Sequence, residues 1–156
     1  MKKSLNLTLV FTLAALIITI LSCKDEERCS VHPEAFRFSI TDRETGSDLI
    51  SSGIYSEEDI GIYYFHDEEK QELIVNRETD PQGDHVELYS AQLPMISLTG
   101  RSDIFYMELA PGETDTLLVL VEKESRGECD YHPYTLVKHN GEDIPIVEGR
   151  AFILKK

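Results

Sequence analysis

The sequence predicts an all-β domain, an antiparallel immunoglobulin-like β-sandwich of about seven to nine strands. Three observations lead there. Short apolar runs of β-branched and aromatic residues recur along the chain after Arg28. Turn residues separate them at the spacing of sandwich strands. No segment sustains the 3.6-residue period of an amphipathic helix.

Taken in order, Phe36, Phe38 and Ile40 alternate with Arg37 and Ser39, the period of a half-buried strand. Ser56-Glu57-Glu58-Asp59 is a turn or a single capped helical turn before the next strand. There Ile60, Ile62 and Tyr64 alternate with Gly61, Tyr63 and Phe65, which predicts cover on both faces. Leu73-Ile74-Val75 and Val86-Glu87-Leu88-Tyr89 flank a polar stretch from Asn76 to His85 that reads as a hairpin loop. Ile104 to Leu109 is the next strand. Ala110-Pro111-Gly112-Glu113 then turns the chain into the run from Thr116 to Val121, apolar on both faces as in a central strand. Tyr134 to His139 leads into Asn140-Gly141, the pair favoured in a type I′ hairpin. Ala151 to Leu154 is the last strand. Trp is absent, so the packed Trp of antibody domains is missing.

The N-terminus carries a different signal. Lys2 and Lys3 precede a nearly unbroken apolar run from Leu5 to Leu21, followed by Ser22-Cys23 and the acidic stretch Lys24-Asp25-Glu26-Glu27. A basic start, an apolar stretch and a small residue before the cut describe a secretory signal. Asn6, Thr8, Thr12 and Thr19 weaken the run as a membrane span, and no basic cluster follows it. An uncleaved anchor is the alternative. The organisation expected is a signal peptide over 1–22, a tether over 23–33 and a sandwich domain over 34–156.

Ile20-Leu21-Ser22-Cys23 resembles the lipobox of bacterial lipoproteins, with Leu21 standing where a small residue is usual. The looser pattern is similar to lipoboxes of Bacteroidota. Cys23-Lys24-Asp25-Glu26-Glu27 resembles the export signal of that group's surface lipoproteins. The resemblance implies lipidation of Cys23 and display on the outer face of the outer membrane. The stretches from Phe38 to Gly46 and from Tyr55 to Tyr63, with Asn140-Gly141, resemble small β-sandwich lipoproteins of the same group, mostly of undefined function.

Charge and cysteines narrow the partners. The formal net charge is −14, and the leader holds basic residues but no acidic ones, so the cut chain is more acidic still. Such a surface repels phosphate backbones and anionic lipid, which excludes nucleic acid and leaves the N-terminal lipid as the membrane contact. With Cys23 acylated, Cys29 and Cys129 remain as an even pair in an oxidising compartment, a disulfide candidate closing a loop of about 100 residues. Two separate thiols are the alternative.

Signatures of chemistry are sparse. Glu78, Asp80, Asp84 and Glu87 are the ligand type for calcium, but without EF-hand spacing. His66-Asp67-Glu68-Glu69 reads as an exposed turn. His85, His132 and His139 match no compact zinc motif, so neither a metal nor a cofactor is expected. No nucleophile elbow, His-Glu-x-x-His or phosphate loop is present, and an enzyme is not expected. Tyr131, His132 and Tyr134 are the binding candidates, exposed aromatics being suited to sugars or a protein partner. The competing reading places most tyrosines in the sandwich rim. The expectation is a lipid-anchored outer-membrane protein facing the exterior, a non-enzymatic binding or accessory module for an envelope protein or glycan. A structural envelope lipoprotein, or a small hydrolase, is the alternative.

Overall fold

The computed structural model describes residues 32–79, 85–127 and 129–156. The leader, the tether up to Val31, and Asp80, Asp84 and Cys29 lie outside them. The fold is all-β and sandwich-like. One sheet has the order β12-β1-β5-β4, built from Phe152–Lys155, Phe36–Thr41, Val86–Ser90 and Asn76–Thr79. The other has the order β11-β10-β7-β6-β2-β3, built from Glu142–Asp143, Tyr134–His139, Glu113–Val121, Ile104–Ala110, Gly61–His66 and Glu69–Leu73. A separate hairpin pairs β8 (Glu124–Arg126) with β9 (Cys129–Tyr131).

The core is the space between the two sheets. Phe36, Phe38 and Ile40 of β1 face Ile62 of β2, Phe105, Met107 and Leu109 of β6, and Leu117 and Val119 of β7 in one buried cluster. Alternation in each strand makes this possible, since a two-residue period puts every second side chain on one face. Burying these aromatic and aliphatic groups is the main favourable term in the fold, roughly 1.5–3 kcal/mol for each large side chain.

Several sequence expectations meet corrections. The β1–β12 pair is parallel, Phe38 lying opposite Phe152, while the other strand pairs are antiparallel. The stretch from Asn76 to His85 is not all loop: Asn76–Thr79 pairs with β5, an exposed edge strand whose polar residues hide its strand character. A helix, α1, spans Gln92–Leu98. Two turns are too short for a visible period, and Pro94 sits in the first turn, where its missing N–H costs nothing. Gly100 closes α1 in the left-handed region at φ 68°, which most residues avoid: its N–H donates to Ser97 O at 2.8 Å, and the N–H of Arg101 donates to Ile96 O at 3.1 Å.

The tight turns agree better with the sequence. Asn140 (φ 50°) and Gly141 (φ 84°) join β10 to β11 as a two-residue hairpin. Asp67 and Glu68, also left-handed, join β2 to β3 in the same manner, so the His66–Glu69 cluster is an exposed turn.

Candidate functional site

The two outer sheet faces differ sharply. On the four-stranded sheet Arg37 reaches Glu78 at 2.8 Å and Glu87 at 3.4 Å, and its guanidinium lies over Tyr89. Glu78 and Glu87 are cross-strand partners that share this arginine, so the described half of the acidic calcium candidate is held by an internal cation.

The six-stranded sheet instead turns an apolar band outward. Burial of Ile62 and Tyr64 forces Tyr63 and Phe65 to the opposite face, and Phe65 is 49% exposed. Here the expectation of two covered faces fails: only the inward face of β2 is buried, because no layer packs on the outer one. Tyr106 sits directly opposite Tyr63, and Ile104, 48% exposed, opposite Leu118. Half-buried Leu118, Leu120 and Leu136 carry the band across β7 and β10. The expected central placement of β7 holds, but its second apolar face meets solvent.

The aromatic part of the band is ordered by cross-strand contacts. Tyr63 and Tyr106 stack with centroids 5.3 Å apart and planes 18° apart. Phe65 meets both rings edge-on at 5.7 and 5.6 Å. From the β3 side, the Lys70 ammonium lies 4.3 Å above the Tyr63 centroid while also bonding Glu72 at 3.2 Å. Such aromatic and cation–π contacts hold the rings in fixed positions. Tyr63 thus has Tyr106 stacked on its ring and the Lys70 ammonium over it, which leaves it no open face for a further stacking partner.

The sequence-predicted candidates are divided by the structure. Tyr131, 42% exposed, ends β9 with the Arg126 guanidinium 5.5 Å from its ring. His132 is half-buried, and its Nδ1 is buried without a hydrogen-bond partner. Tyr134 points the other way. A bulge between Tyr134 and Leu136 turns it inward, where its ring packs on Phe36 and Phe152 and its hydroxyl donates to Glu34 O at 2.7 Å. Burial pushes that hydroxyl well above the ordinary phenol range. Tyr134 thus serves the sandwich rim. Cys129 opens β9, and its candidate partner Cys29 is outside the described residues.

A polar cluster that sequence reasoning missed runs from the sandwich interior to its surface. Asp115 and His139 are only 4% and 3% exposed, and His139 Nε2 is 2.7 Å from Asp115 Oδ2. Lys156 Nζ donates to Asp115 Oδ1 at 2.9 Å and bonds Glu113 Oε1 at 2.8 Å; the Tyr55 hydroxyl donates to the same Glu113 oxygen at 2.8 Å. Desolvation pushes the Asp115 carboxyl up, but hydrogen bonds from Lys156, Asn140 and His139 outweigh it and hold the group below its ordinary range. Burial pulls Lys156 down, yet Glu113 and Asp115 leave it raised. A signal was present in the inward parity of Asp115 and His139 on their strands. With His139 committed to Asp115, the three histidines do not converge, and among the described residues no group of His, Cys, Asp or Glu is arranged to hold a metal.

Among the described residues no helix is long and apolar enough to cross a membrane. No family model matches the chain, and no curated protein or solved structure shows significant similarity to it.

Proposed function

We propose that this chain is a lipid-anchored protein of the outer membrane, facing the exterior, that works as a non-enzymatic binding or accessory module. We further propose that its docking surface is the outward face of the six-stranded sheet. The observation carrying this reading is the ordered apolar band of Phe65, Tyr63, Tyr106, Ile104, Leu118 and Leu136 on an otherwise acidic chain. Contiguous exposed apolar surface rimmed by polar residues is characteristic of interaction sites. The covered ring of Tyr63 favours an envelope protein over a glycan, since sugars stack on open ring faces.

The anchoring half of the reading rests on Cys23 and the Lys24-Asp25-Glu26-Glu27 segment. The hydrolase alternative gains nothing from the His139–Asp115 pair, whose burial keeps it from any substrate.

Two measurements test the reading. In intact cells, protease should cleave the native protein and spare a variant with Lys24 to Glu27 replaced by Ala; protection of both refutes surface display. A photo-crosslinking residue at position 65 should give discrete heavier adducts that the same residue at exposed position 58 does not. Equal or absent adducts would leave the structural-lipoprotein alternative standing instead.

A further inference from the structure

A groove of about 400 Å³ opens at the seam between β3 and α1, on the β3 edge of the six-stranded sheet. Gln71 and Leu73 of β3 form one wall, Gln92, Met95 and Ile96 of α1 the other, and buried Tyr64 lies at its base. Gln92 also ties the walls together, its Oε1 accepting from Ile74 N at 2.7 Å. The volume falls within the range of small-molecule sites, roughly 300–1,000 Å³.

One cation completes the lining. Arg101 is exposed on the groove, and the turn that ends α1 fixes its backbone there. Arg37, Arg43, Arg77 and Arg126 all engage carboxylates; among the described residues Arg101 and Arg150 engage none, and of these two Arg101 lines the groove. The acidic residue on the same groove, Glu72, is held by Lys70 at 3.2 Å, a cation that also reaches Glu108 at 3.8 Å, so Arg101 is the cation on the groove lining that no carboxylate engages. An apolar trough with one unpaired guanidinium is complementary to a single negative charge on an apolar tail. A planar fork of N–H donors suits a carboxylate. A dianion would leave one charge uncompensated on a chain of net charge −14.

We propose that this groove binds a small monoanionic amphiphile, a carboxylate carrying an apolar tail, with Arg101 on the carboxylate and Leu73, Met95 and Ile96 around the tail. The site is independent of the docking-face reading and stands or falls separately from it.

Methionine methyl groups give a direct test. Met95 lines the groove, whereas Met107 is fully buried in the core and serves as reference. The full chain, labelled with ¹³C at the methionine methyls and held in lipid nanodiscs, is titrated with octanoate and, separately, octanol. The expected result is a saturable shift of Met95 with Met107 unmoved, and binding of octanol weaker by about tenfold, as loss of one charge-assisted contact gives. Arg101→Gln should erase that preference and Arg101→Lys should retain part of it. No shift at Met95, equal affinity for alcohol and acid, or a preference lost alike in both variants or kept in Arg101→Gln overturns the proposal.

Discussion

Two buried serines, changed to the same residue, are expected to move stability in opposite directions. Ser97 lies on α1 beside the end of β7, where β6 no longer supplies ladder partners. Its hydroxyl donates to Val119 O at 2.9 Å and accepts from Val121 N at 3.1 Å, standing in for the missing strand. Ser97→Ala orphans both backbone groups. A buried unsatisfied group costs about 1–3 kcal/mol, the carbonyl toward the low end because it tolerates partial satisfaction. Against this, Ala gains up to about 0.5 kcal/mol of helix propensity over Ser. The net expectation is a loss of about 2–3 kcal/mol. Ser90, fully buried in β5, has a hydroxyl with no partner, so Ser90→Ala removes a desolvated group that gains nothing. It should be neutral or stabilise by up to about 1 kcal/mol. Urea unfolding reads both as shifts in midpoint at constant slope. A Ser97→Ala loss under about 0.5 kcal/mol, or a greater loss for Ser90→Ala, would refute the assigned roles.

Asp115→Ala strips Lys156 and His139 of their shared acceptor and should cost about 3 kcal/mol at neutral pH. Because the Asp115 pKa is depressed below 3.8, its contribution is present above that value and fades as pH falls through the lower folded pKa; the raised Lys156 contributes below 10.5 and fades above it. The difference between variant and native stability should therefore hold across the neutral range and shrink in strong acid, as thermal melts over a pH series would record. Glu68→Gly relieves a left-handed non-glycine residue at φ 68° and should raise stability by about 0.5–1 kcal/mol; an unchanged melting temperature would argue against that strain. If Cys29 and Cys129 are bridged, denatured unreduced protein resists alkylation at Cys129, and reduction costs about 2–4 kcal/mol. Ready alkylation at that position would remove the bridge.

Where burial and period coincide, the fold was legible. Phe36, Phe38 and Ile40 alternate in sequence and are buried in fact, and Asn140-Gly141 turns as its dihedral preferences require. Legibility failed where long-range partners decide the structure. Asn76–Thr79 becomes a strand only because Val86–Ser90 lies beside it. The parallel seating of β12 on β1 is set by both ends of the domain at once, which no local pattern encodes. The site was half visible: adjacent Tyr63 and Tyr64 implied one outward ring, but its stacking on Tyr106 depends on register. Tyr134 could be read from the sequence either as an exposed binding candidate or as part of the sandwich rim; the bulge that decides for the rim leaves little trace in composition.

The placement of β1 has a mechanical consequence. This first described strand is not at an edge: it is bonded to β12 on one side and β5 on the other, and Tyr134 fastens the backbone at Glu34 just ahead of it. A pull arriving along the chain from the N-terminal side is thus shared between two ladders and the aromatic packing of Phe36 on Phe152. The strand cannot be peeled away one bond at a time from a free edge. Drag on the domain would be borne by its most deeply embedded element, while the charged edge strands β3 and β4 carry little of the load.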